Sequence, residues 1–212
     1  MHKVPNSEIN QDIKKIAIDQ MGDWNQIATE IATKNEFLQE IPFIKTAVAI
    51  INTYKSVSNY LFARKFLRIL ATLESAYSHD RDLLTRELSE DHIERTNVGK
   101  RIIELCEKID SEEKAEYIGL AFIALMNKEI DKATFERITN AIVSCSYFDF
   151  LELPNFVNAD ENERITNASG KSAMYSATGL AFTHSGYGIG GIYPSETAVN
   201  IVKYIFRIEC GP

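Results

Sequence analysis

Gly170-Lys171-Ser172 ends like a phosphate-binding loop, GxxxxGK[ST]. In such a loop backbone amides wrap the phosphates, the lysine bridges them and the hydroxyl meets magnesium. The pattern needs a glycine where Ile165 stands and an apolar strand leading in, whereas the residues before it are Asp160, Glu161, Asn162, Glu163 and Arg164. A helix start, with Ser169 or Ser172 as its cap, is the expected reading, and Lys171 is not expected to hold a nucleotide. Gly186, Gly188, Gly190 and Gly191 are dense enough for a dinucleotide fingerprint. That fingerprint opens a helix directly after a strand, inside a βαβ unit. Here Ile192-Tyr193-Pro194 comes next, and the segment before reads as helical. A tight hairpin is expected instead. His2, His79, His92 and His184 show no HExxH or other paired ligand spacing. Cys106, Cys145 and Cys210 form no CxxC pair. Cys106 and Cys145 sit in helical patterns and read as small buried hydrophobes. No serine or cysteine lies in a nucleophile elbow. The expectation is therefore no catalytic residue, no metal and no cofactor, with enzymatic activity the minority reading.

Charge is the next source of chemistry. The chain has 212 residues, 23 basic and 30 acidic, for a net −7. That disfavours non-specific binding of nucleic acid by the whole molecule. From Ile41 to Leu73 there is no acid, but there are Lys45, Lys55, Arg64, Lys65 and Arg68. This +5 segment can be a contact surface for an acidic protein, for a second copy or for an anionic membrane. It can equally be a core helix whose cations pair with the chain's own acidic helices. Lys55, Arg64, Lys65 and Arg68, with Tyr187 and Tyr193 of the Gly-rich segment, are the candidate interaction residues.

The elements that would position these residues emerge from apolar spacing. Ile9, Ile13 and Ile16, then Ile27 and Ile31 after the capping Asp23, mark two short N-terminal helices, with Trp24 as an anchor. Pro42 suits a helix start. Phe43, Ala47, Ile50, Ile51 and Tyr54 share one face; Phe62, Phe66, Ile69, Leu70 and Leu73 form a second stripe with Arg64, Lys65 and Arg68 across from it. Residues 79–92 are charge-dense and read as a solvated helix or helix–loop. Val98, Ile102, Leu105 and Ile109 predict another helix; Asp110 with Glu113 resembles a capping box for the one burying Ile118, Ala121, Phe122 and Leu125. Asp131 starts the next, with Phe135, Ile138 and Ile142 inward. Beyond Tyr147 the sequence predicts an aromatic segment, a polar loop over 158–167, a helix over Lys171–Phe182, the Gly-rich turn and a last helix from Ser195 carrying Ala198, Val199, Val202 and Ile205.

Together these predict a mainly α protein. An antiparallel helical bundle over 1–150 has the short helices of 1–36 packed on it, and a small Gly-rich, winged-helix-like α+β module over 151–212 packs on the bundle. From Asp160 onward four basic residues face five acids, so a DNA-reading winged helix lacks its phosphate contacts. The polar N-terminus carries no signal peptide, and the most apolar stretch, Ile41 to Tyr54, contains Lys45 and Asn52 and falls short of the roughly 20 residues a membrane span needs. A cytoplasmic protein is expected.

The stretch IPFIKTAVAIINTYKSVSNYLFARKFLRIL, followed by a charged helix and EEKAEYIGLAFIALMNKEIDKATFERI, resembles a group of uncharacterised bacterial helical proteins met near mobile-element or phage-defence genes. The resemblance spans residues 37–150. It implies a non-enzymatic accessory that works through a protein partner or self-association, and it carries over no site residue. A winged-helix DNA-binding regulator and a peripheral membrane effector acting through 41–73 are the alternatives.

Overall fold

A computed structural model describes residues 49, 57–77, 101–160, 171–186 and 189–209. The expected N-terminal helices, the stripe from Phe43 to Tyr54, Lys45, Lys55, the charged segment 79–92, Val98, the middle of the polar loop, Tyr187 and Cys210 lie outside the described residues. Helices dominate, and one two-stranded antiparallel sheet lies near the C-terminus. The chain divides into two compact units, Met1–Gly119 and Leu120–Pro212.

In the first unit, α1 spans Val57–Tyr77, α2 covers 101–108 and α3 starts at Glu112. The predicted stripe of α1 forms: Phe62, Phe66, Ile69, Leu70 and Leu73 are all buried, and the Phe62 and Phe66 rings stack at 6.1 Å. Ile102, Leu105 and Ile109 are likewise buried. α3, Glu112–Met126, is capped differently from the expectation. The Lys114 amide donates to Ser111 Oγ at 3.3 Å, so Ser111 is the cap. Asp110 instead takes the ammonium of the buried Lys114 at 2.9 Å, which offsets the cost of burying that charge. The division between units falls within this helix.

In the second unit, Asp131 caps α4, Lys132–Ser144, by accepting from the Thr134 amide at 2.7 Å, as its sequence suggests. Phe135, Ile138 and Ile142 face inward. The aromatic segment folds into two short helices, α5 (Tyr147–Leu151) and α6 (Leu153–Asn158). They belong with the C-terminal elements: Phe150 packs on Phe206, Phe156 on Tyr175, and the Tyr175 hydroxyl donates to the Asp149 carbonyl at 2.8 Å. The second unit therefore begins well before the expected boundary at 150, because α4 also packs against the C-terminal helix.

The helix expected over Lys171–Phe182 is shorter. α7 is Ser172–Ala177, and Gly179, in the left-handed region at φ +73°, ends it. The Leu180 amide donates to the Tyr175 carbonyl and the Gly179 amide to the Ser176 carbonyl, the two bonds of a Schellman stop. The chain leaves this turn extended. β1 (Ala181–Gly186) pairs antiparallel with β2 (Ile189–Pro194), with Ala181 opposite Pro194 and Gly186 opposite Ile189. Ser195 Oγ accepts from the Ala198 amide and caps α8, Glu196–Asn200, which continues into a π turn over Ile201–Ile205. There the Phe206 amide reaches back to the Ile201 carbonyl at 3.1 Å. Ala198, Val202 and Ile205 are buried as their spacing predicts, and Ile201 joins them. Helix, hairpin and helix succeed one another in the expected order.

Candidate functional site

The acid-free α1 segment is the main electrostatic candidate, and its cations lie within reach of named groups of their own unit. The Arg64 guanidinium pairs with the Glu112 carboxylate. Arg68 Nε donates to Glu116 Oε2 at 3.1 Å, and its Nη2 contacts the same oxygen. Lys65 Nζ donates to the carbonyls of Cys106 and Ile109 at 3.3 and 2.5 Å, closing the C-terminal end of α2, where backbone carbonyls concentrate negative potential. Thr72 lies so near Gly119 that a Cβ there would sit 2.9 Å from the threonine Cβ. The contacts 64 to 112, 68 to 116 and 72 to 119 advance together, so α1 and the first half of α3 run parallel. The arginine side chains remain a little over a third exposed.

Cys106 lies buried beside this site. Burial pushes its thiol up to about 12, so it stays protonated at neutral pH and is a poor nucleophile. Cys145 is also buried, with its sulfur 3.5 Å from that of Met174. Lys171 occupies the cap position of α7 without a side-chain cap bond, and the rest of the GxxxxGK[ST] window lies outside the described residues. Among the described residues no group of His, Cys, Asp or Glu is placed to hold a metal ion, and no helix is long and apolar enough to cross a membrane.

The hairpin has the opposite character. Antiparallel register puts Phe182 directly across from Tyr193, and their rings stack at 5.7 Å and 25°. Alternation places Ala181 and Ile192 on the other face, and both are buried. Phe182 is 53% exposed. The Tyr193 ring folds over Gly191: a Cβ at 191 would fall 2.7 Å from the ring, so only glycine lets the tyrosine lie this close to the strand. The result is a flat aromatic platform on the outward face. No Asp, Glu, Lys or Arg occurs from Ser172 to Ser195. On α5, Phe148 is 80% exposed, with its ring edge-on to Tyr147.

Tyr193 thus belongs to a defined surface, Tyr187 and Lys55 lie outside the described residues, and Arg64, Lys65 and Arg68 gather around Glu112, Glu116 and the end of α2. Phe182 and Phe148 are surface residues that sequence reasoning misses. Phe182 looks like the last apolar residue of a helix unless Gly179 is read as its stop. Comparison with protein-family models, with curated proteins and with solved structures gives no match for this chain.

Proposed function

We propose that this protein is a non-enzymatic binding component that engages a protein partner through the outward face of its C-terminal hairpin, with Phe182 and Tyr193 at the centre. The observation that carries the reading is the half-exposed, stacked aromatic pair on a segment free of charge. Aromatic side chains deliver large contact area with little rotamer entropy lost, which suits the centre of a contact. An uncharged platform favours a protein over nucleic acid, since phosphates need Lys or Arg. The buried free thiols of Cys106 and Cys145 suit a reducing compartment such as the cytoplasm. A role in bacterial defence or mobile-element biology rests on the resemblance over 37–150 alone.

The test is photo-cross-linking in cells from a reactive phenylalanine analogue at position 182, with the same analogue at the exposed Ala133 of α4 as control. A discrete protein adduct from 182 and not from 133 is expected. No adduct from 182, or the same species from both sites, would remove the reading.

A further inference from the structure

The hairpin has an edge as well as a face. The Ser195 amide donates to the Leu180 carbonyl at 3.0 Å, which makes that pair a hydrogen-bonded one. In an antiparallel ladder the pairs alternate, so 182/193, 184/191 and 186/189 bond inward, while Ala181, Thr183 and Ser185 turn their N–H and C=O groups away from β2. Pro194 falls on the outward set of β2, where its missing N–H takes nothing from the ladder and blunts that edge. Helices α6 and α8 also pack against β2. β1 carries none of the usual protection: AFTHSG has no charge and no proline. Phe182 and Thr183 are exposed along it.

We propose that β1 is a docking edge for β1 of a second copy of this chain, paired antiparallel about a two-fold axis at Thr183 to give a continuous four-stranded sheet. The proposal rests on the reading of the hairpin as the contact surface. Self-pairing matches the outward groups without change of register: Thr183 meets Thr183 of the other copy, and Ala181 meets Ser185. Charge argues for a second copy over a foreign strand. Two molecules at −7 each repel overall, and this uncharged segment is where they can approach without like charges opposed. A foreign strand selected by charge would find no charged residue here to recognise. The two Phe182–Tyr193 platforms would then lie on one sheet face. A six-residue edge buries less than a standard interface, so the dimer should be weak, with Kd on the order of 0.1 mM.

Sedimentation velocity of the full chain from about 1 μM to about 1 mM tests this. A monomer–dimer equilibrium is expected. Thr183→Pro removes one outward amide and leaves the β1–β2 ladder intact; Thr183→Lys places like charges across the axis. Each should weaken the dimer at least about tenfold with an unchanged circular dichroism spectrum, and if the proline variant loses structure the lysine variant decides. A chain that stays monomeric throughout, or a dimer that neither substitution weakens, overturns the proposal. Should Phe182→Ser alone abolish the dimer while both Thr183 variants keep it, the aromatic face stands as the contact and edge pairing falls. A cross-link from position 182 to a different protein, with a monomeric chain, likewise keeps the hairpin as a contact surface and rules out edge pairing.

Discussion

Helix α1 and the β1–β2 hairpin stand at opposite ends of the electrostatic range of this chain. Arg64, Lys65 and Arg68 concentrate positive charge, and each meets a carboxylate or carbonyl of its own unit. The hairpin has no charge and leaves an aromatic pair half open to solvent. A dense cationic run in a sequence invites a search for an outside partner. Here it reflects helix-on-helix assembly, because long cationic side chains can lie along a helix while their heads reach acids or carbonyls on the next. An uncharged, Gly-rich segment invites dismissal as a loop, yet it holds the more open surface.

That contrast can be tested from both sides. Phe66 is 1% exposed in the α1 stripe, and Phe66→Ala should destabilise the first unit by about 3–5 kcal/mol, read from chemical denaturation. Lys65→Met keeps the alkyl stem and removes the ammonium from the α2 carbonyls; a loss of about 1–2 kcal/mol is expected, and an unchanged midpoint would mean the lysine serves something outside the chain. In the second unit, Lys128 ends α3 at φ 58°, where the Glu129 amide reaches the Ala124 carbonyl. A side chain is strained there, so Lys128→Gly should raise stability by about 1 kcal/mol in thermal melts. Phe182→Ser should shift stability by no more than about 0.5 kcal/mol, the range of exposed substitutions. A large loss on Phe182→Ser would reassign that ring to the core and erase the contrast.

The α1 stripe is legible in the sequence because a 3.6-residue period needs only local spacing, and Phe62, Phe66, Ile69 and Leu73 supply it. The partners of its cations are not legible. Glu116 lies 48 positions from Arg68, and no local rule picks it from 30 acids. Asp131 is recognisable as a cap because the cap acts within three residues, while Asp110 misleads because Ser111 stands beside it and takes the same role. β1 hides because Leu180, Ala181 and Phe182 extend the apolar run of α7 without interruption in hydropathy. The switch is conformational, and Gly179 is its signal. With the strand unseen, the register that brings Phe182 to Tyr193 cannot be drawn.

The π turn at Ile201–Ile205 has a consequence for the length of the chain. A π turn holds one residue more than α-helical winding would place in the same span, so it has the form of a single-residue insertion accommodated inside a helix. Beyond it, Arg207 adopts φ 56° and its guanidinium reaches the Glu129 carboxylate at 2.8 Å. Deleting Lys203, which is exposed, should let the segment rewind as plain α-helix. Every residue downstream would then turn by about 100° around the helix axis. The helix would survive, Arg207 would swing away from Glu129, and the C-terminal tail would leave the domain in a new direction. The extra residue thus works as a rotary offset that sets where the end of the chain points.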